Sequence, residues 1–220
     1  AAIAGARGIP FHTDAVQAAG ALDLNVQTLG VDALSLSGHK IGAPKGSGAL
    51  FLRNRIRVEP VVHGGGQEQG RRSGTENVAG AVAFATALEL AAADRVTRAA
   101  SLAALRDRLI AGFRSVAPGA ILTGHPTERL PGHASFCFAG TSGEAVLLAL
   151  EERGILCSSG SACAAGSDEP SHVLVAMGVP RELAQTAVRF SFGEEITPAQ
   201  IDSVIRAVGE AVAGLAALAS

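Results

Sequence analysis

Lysine is nearly absent from this chain: its 220 residues hold two, Lys40 and Lys45. Any chemistry that needs a side-chain amine must use one of them. Cysteine is scarce as well. Cys137, Cys157 and Cys163 are odd in number and lack CxxC spacing. That excludes a disulfide framework and points to a reducing compartment. No His pair accompanies Cys157 and Cys163 at a usual spacing, so no zinc pattern is legible and no metal is expected. An excess of either charge is missing too. The net charge of −2 gives no electrostatic case for binding nucleic acid. No apolar run reaches the roughly 20 residues of a membrane span. The most apolar tail, Ala207 to Ala219, is short and contains Glu210. The N-terminus shows no basic region followed by a long apolar core, and we expect a cytoplasmic location. There is no initiator Met. Ala1 to Arg7 reads as the last turns of a helix ending at Gly8, so we expect a C-terminal portion of something longer.

What is present suffices for a core. Hydrophobic residues make up 48% of the chain and charged ones 17%, enough for one large domain or two small ones. The pattern predicts strands at Ile9–Thr13, Ala33–Leu36 and Ala49–Leu52, with a Gly/Pro-rich loop at Ile41–Gly48. Glu59 to Arg72, polar and glycine-rich, reads as an exposed functional loop. From Thr75 the period becomes helical, with Ser73 or Thr75 as cap, and helix continues with a bend to about Val116. That stretch is the natural joint between domains. Beyond Pro118 we expect a strand at Ala134–Phe138, a helix at Gly143–Arg153 and a strand at Ile155–Cys157. A loop at Ser158–Pro170 and a short helix to Met177 follow. The chain closes with a strand at Ala187–Phe192 and a helix from about Pro198, capped by Thr197. Strands interleaved with helices indicate α/β layers.

Two stretches far apart make chemical sense together. Asp14-Ala15-Val16-Gln17 and Ser37-Gly38-His39-Lys40 offer an acid, an amide, a hydroxyl, an imidazole and an amine after strand-like runs. That set suits pyridoxal phosphate held as a lysine Schiff base. Lys40 follows a buried strand, whereas Lys45 lies in the surface turn Ala43–Gly46, so Lys40 is the candidate. Asp14 ends a strand, where α/β sheets bind ligands. His12 has no legible partner and reads as structural. Ser159-Gly160-Ser161-Ala162-Cys163 is a small-residue loop displaying one thiol, as a mobile nucleophile requires. Cys137 and Cys157, in or at the end of apolar strands, read as buried hydrophobes. Arg189, isolated in Val188-Arg189-Phe190, suits bidentate capture of a carboxylate or a structural ion pair.

These motifs, with His63-Gly64-Gly65-Gly66-Gln67-Glu68 and Arg72-Ser73-Gly74-Thr75, occur in the order that resembles the cysteine desulfurases. These are class V, fold-type I pyridoxal enzymes, and the resemblance is nearest to the group serving iron–sulfur assembly and nitrogenase. It covers essentially the whole chain. It implies Lys40 as the Schiff-base lysine, Asp14 as partner of the pyridine nitrogen and Gln17 as partner of the ring hydroxyl. Ser37 and His39 match phosphate ligands. Thr75 matches a residue that reaches the phosphate of the neighbouring subunit in a homodimer. Cys163 matches the nucleophile and Arg189 the group that holds the substrate carboxylate.

The implied fold is the remainder of a mainly parallel-sheet cofactor-binding domain over residues 1–92, and a smaller α/β (α+β) domain over 93–220 carrying the cysteine loop. The implied reaction is a sulfurtransferase one: sulfur leaves L-cysteine, alanine is released, and a Cys163 persulfide passes to sulfur-acceptor or scaffold proteins. Family members also carry a ring-stacking imidazole, a Gly/Thr phosphate turn and an asparagine that would lie before Ala1. Two other readings fit the same residues: a selenocysteine lyase or other class V enzyme, and a non-catalytic fragment that dimerises or docks acceptors.

Overall fold

The structure is a computed structural model and describes residues 1–159 and 169–219. It divides into two units, Ala1–Thr97 and Arg98–Ser220.

The first unit opens with a short helix α1 (Ala2–Gly5), which ends before Gly8, followed by strand β1 (His12–Asp14). The strand is shorter than the predicted Ile9–Thr13. Pro10 has no N–H to give a ladder, and Phe11 is tied to Asp32 instead. Its N–H donates to Asp32 Oδ2 at 3.0 Å, and its carbonyl accepts from the Asp32 and Ala33 amides. Helix α2 (Val26–Leu29) is capped by Asn25, whose Oδ1 accepts from Gln27 N at 2.9 Å, and stops at Gly30 with φ +67°. A left-handed stop of this kind favours glycine.

Strand β2 (Ala33–Ser37) pairs parallel to β1, with His12 opposite Ala33 and Asp14 opposite Ser35. Strand β3 (Gly48–Leu52) returns antiparallel to β2, so the parallel pairing in this sheet is the β1–β2 pair. One face packs Leu34, Leu36 and Phe51 against Ala15, Val31, Leu24 and Val26. The opposite face presents His12, Asp14, Ser35 and Ser37, because strand side chains alternate.

Helix α3 (Val78–Ala93) follows, capped by Asn77 rather than Ser73 or Thr75; Asn77 Oδ1 accepts from Gly80 N at 2.9 Å. Ser73 is drawn into the preceding loop, where its hydroxyl accepts from Gly66 N at 3.3 Å. The bend between helices falls at Asp94, and α4 (Arg95–Val116) begins at once.

The second unit is built on an antiparallel sheet. Strands β4 (Ala120–Leu122) and β5 (His133–Phe138) pair first. Helix α5 (Gly143–Glu151) leads to β6 (Ser158–Ser159). Short helices α6 (His172–Ala176) and α7 (Arg181–Ala184) precede β7 (Ala187–Ser191), and α8 (Pro198–Ala219) closes the chain. The strand order is β4-β5-β7-β6. Ile155–Cys157 is not a strand; the pairing begins one residue later, with Ser158 opposite Arg189. Strand β4 has no counterpart in the sequence reading. Thr197 forms the predicted cap reciprocally: its Oγ1 accepts from Gln200 N at 3.3 Å, and its N–H donates to Gln200 Oε1 at 2.8 Å. This is a capping box.

One face of this sheet carries Phe136, Phe138, Val188 and Phe190 into a core with Leu109 and Phe113 of α4, Val146 and Leu150 of α5, and Ile201 and Val208 of α8. Phe113 sits between Phe136 and Phe190, with ring centroids 5.0 and 4.9 Å away in edge-on contact. Burying each such ring stabilises the fold by roughly 1.5–3 kcal/mol, with an aromatic-pair contribution in addition.

Candidate functional site

The parallel β1–β2 pairing brings the first group of candidates to one sheet edge. Asp14 is the last residue of β1 and faces Ser35 on β2. Two residues further, β2 ends at Ser37, and a single tight turn, Gly38–Lys40, follows. Asp14, Gln17, His39 and Lys40 are exposed and Ser37 is half-buried. Asp14 Oδ1 accepts from Val16 N at 2.9 Å, which fixes the strand-to-turn exit. Gln17 lies in the run of turns after Ala15, tied by amide bonds from Ala18 and Ala19 to the Ala15 carbonyl. Ser37 Oγ and His39 Nδ1 are 2.8 Å apart.

The turn that presents Lys40 is tightly held. Gly38 N donates to Ser47 O at 2.9 Å, and the Gly38 carbonyl accepts from Ile41 and Ala43. A Cβ at Gly38 would run into the Ser47 hydroxyl and would lie 3.0 Å from Ala43 Cβ and 3.1 Å from Phe84 of α3. Glycine is required there by close approach. Lys45 is exposed in the neighbouring turn.

Thr75 is exposed at the end of the 59–74 loop, two residues before the Asn77 cap. The loop is braced from within: Gly74 N donates to Gln67 Oε1 at 3.0 Å, and Ser73 N to Val62 O at 3.1 Å. Glu68 and Gln69 both take left-handed φ values, +51° and +58°, which non-glycine residues adopt at a cost.

Arg189 lies in the middle of β7, opposite Ser135 of β5 and Ser158 of β6. It belongs to the face turned away from the aromatic core. Helices α6 and α7 cover the Cys137–Ala187 end of that face. Arg189 is half-buried, and among the described residues no carboxylate forms an ion pair with it. His133 lies on the same face, opposite Ser191. Burial pushes its pKa down, and the positive charges of Arg129 and Arg189 add to the effect.

The thiols differ in setting. Cys137 is fully buried in β5, and burial raises its pKa. Cys157 is half-buried just before β6; burial, with the nearby Glu151 charge, pushes its thiol up to about 11. Neither holds appreciable thiolate near neutrality, as a nucleophile must. Cys163 lies outside the described residues.

The first unit therefore gathers an amine, a carboxylate, an amide and a hydroxyl–imidazole pair at the ends of β1 and β2 and in the turns that follow them. That donor set fits a phosphorylated pyridine aldehyde. The reading of His12 as structural missed its partner. His12 Nε2 lies 2.7 Å from Ser35 Oγ. The i, i+2 serines of Ala33-Leu34-Ser35-Leu36-Ser37 carried the signal, since that spacing puts both hydroxyls on one face.

Comparison with known proteins identifies the family. The aminotransferase class-V family model matches residues 1–204. The chain is 47% identical over 204 residues to the cysteine desulfurase IscS of Methanosarcina thermophila, covering 93% of this chain and 50% of that protein. It is 48% identical over 208 residues to the cysteine desulfurase NifS of Azotobacter vinelandii, covering 94% and 52%. Among solved structures, a NifS-like protein from Rickettsia africae superposes with a TM-score of 0.85 at 31% identity, over 96% of this chain and 55% of that one. The chain spans about half the length of the curated relatives it matches.

Proposed function

Because this chain belongs to the aminotransferase class-V family, we propose that its residues serve a pyridoxal-phosphate-dependent cysteine desulfurase. The observation that carries the proposal is the convergence of Asp14, Ser37, His39 and Lys40 at the end of the β1–β2 pair. Enzymes of this family and the cysteine desulfurases depend on pyridoxal phosphate. The cofactor, when bound, supplies an electron sink for charge released at the α-carbon of an amino acid.

The residues present fit that group. Lys40 Nζ would hold its aldehyde carbon, Asp14 its protonated ring nitrogen and Gln17 its ring hydroxyl. Ser37 and His39 would hold its phosphate, with Thr75 serving a neighbouring subunit's phosphate in a homodimer; the exposure of Thr75 supports that role. In this division residues 1–92 belong to the cofactor-binding domain and 93–220 to the domain that carries the Cys163 loop.

The reaction then assigns each side chain a task. Arg189 holds the carboxylate of L-cysteine by a bidentate, charge-assisted pair. Lys40 Nζ takes the α-proton. The Cys163 thiolate attacks the substrate sulfur, the substrate carbon–sulfur bond breaks, and its electron pair remains on carbon. That β-carbon takes up a proton, Lys40 Nζ returns one to the α-carbon, and the product leaves as alanine, while Cys163 retains a persulfide for a sulfur-acceptor or scaffold protein, as in iron–sulfur assembly. The shortage of cysteines supports a cytoplasmic setting.

A visible spectrum of the purified chain with pyridoxal phosphate tests the reading, beside Lys40→Ala and then with L-cysteine added. A band that needs Lys40 and shifts with L-cysteine supports it, together with alanine release that requires Cys163. No band, or full persulfide and alanine yield from Cys163→Ser, overturns it.

A further inference from the structure

His12 and Ser35 occupy the β1–β2 face beside Asp14, yet the reaction above assigns them no task. Their geometry is specific. His12 is two residues before Asp14 on β1, so the two side chains share a face. Ser35 is the register partner of Asp14 on β2 and lies on that same face. His12 Nε2 and Ser35 Oγ are 2.7 Å apart, a hydrogen bond whose donor is set by the imidazole tautomer.

His12 is exposed and Ser35 half-buried, so water could serve both groups and the bond is not needed to satisfy buried atoms. Between accessible partners such a bond adds little net stability. Its effect is on placement: it fixes an imidazole and a hydroxyl on the sheet face that also carries the carboxylate. Asp14 Oδ1 is committed to the Val16 amide at 2.9 Å, and the direction of the other oxygen is left to the groups around it on the sheet.

We propose that His12 and Ser35 form a positioning pair for Asp14, holding its carboxylate toward the end of β1, where a pyridine nitrogen meets it. Neither residue touches the reacting atoms. The bond between them keeps the imidazole from swinging over Asp14 and sets the Ser35 hydroxyl dipole across the strand pair from it. The inference rests on the reading of Asp14 as the ring-nitrogen partner.

The test is a titration of the full chain with pyridoxal phosphate, followed by visible absorbance, for wild type, His12→Leu, His12→Gln and Ser35→Ala. Each is also made in the Asp14→Asn background, and the thermal unfolding of each cofactor-free chain is recorded. His12→Leu and Ser35→Ala are expected to weaken binding about fivefold, because the carboxylate is then less well preorganised for the ring nitrogen. His12→Gln, whose amide reaches the position of Nε2, is expected to restore it. In the Asp14→Asn background the same changes should have no further effect, and the cofactor-free chains should unfold alike. An equal loss in both backgrounds, or no loss from either His12→Leu or Ser35→Ala, overturns the positioning role and leaves Asp14 in place. If wild type takes up no cofactor, or if Asp14→Asn binds and absorbs as wild type does, the reading of Asp14 itself fails and takes the positioning role with it.

Discussion

Ser37 Oγ and His39 Nδ1 stand 2.8 Å apart across the turn that ends β2. The hydroxyl and the imidazole are thereby held as one unit, one residue from Lys40. In the proposed role as phosphate ligands, this preorganisation would leave less side-chain entropy to lose on binding.

Ser37→Ala and His39→Ala should each weaken pyridoxal phosphate binding by about tenfold, the scale of a hydrogen bond to a charged group. Binding of pyridoxal, which lacks the phosphate, should be unchanged. Because the two side chains contact each other, the double variant should lose less than the product of the two single losses. Parallel titrations with the two ligands check this.

Gly38→Ala should destabilise the first unit. The new methyl would meet Ala43 and Phe84 at 3.0 and 3.1 Å as well as the Ser47 hydroxyl, and overpacking of this kind costs about 1–3 kcal/mol. Since the same turn carries His39 and Lys40, cofactor uptake should fall with the unfolding temperature. Calorimetry and the visible titration, run on the same sample, check both effects.

Alkylation should separate the thiols. Near neutral pH, Cys163 is expected to react with iodoacetamide first, while Cys137 and Cys157 react slowly because burial keeps both protonated. The Cys157 thiol, pushed up from 9.0 to about 11, binds its proton more tightly in the folded chain than in the unfolded one. Its contribution to stability is therefore present below pH 9 and is lost as the pH rises toward 11. Peptide mass mapping of the labelled sites against pH, with denaturant titrations at each pH, measures the two effects.

Asp32 gives the opposite sign. The hydrogen bonds from Arg55, at 2.6 Å from Nη2, and from the Phe11 amide hold its carboxyl below the ordinary value of 3.8. Folding favours the ionised form, so its contribution is present above pH 3.8 and is lost as the pH falls through the lowered folded value. Asp32→Asn should flatten the acid side of the stability profile of the first unit and destabilise it at neutral pH. Replacement of Arg55 by Ala should do the same more weakly, since Phe11 and Arg53 remain as partners. Acid unfolding followed by circular dichroism distinguishes the variants.

Much of the fold was legible because its signals are local. The Thr197 cap and the strands around Phe136 and Phe190 follow from spacing and capping chemistry. The misplaced elements were decided by partners far along the chain. The start of β1 moved because Phe11 binds Asp32, 21 residues on. The cap of α3 moved to Asn77 because Ser73 is engaged by Gly66. Strand β6 began at Ser158 because its register is set by β7.

The sequence by itself determined the chemical inventory. Two lysines, one of them behind a strand, and a single thiol in a run of small residues leave few choices of amine and nucleophile, and residue identity is a property of the chain. Only the tertiary structure decided which of those groups face one another. The parallel register of β1 and β2 sets Asp14 against Ser35 and turns His12 from a residue without a partner into one bonded to that serine. Register depends on hydrogen bonds between strands some twenty residues apart, and a shift of one residue would send every one of these side chains to the other face.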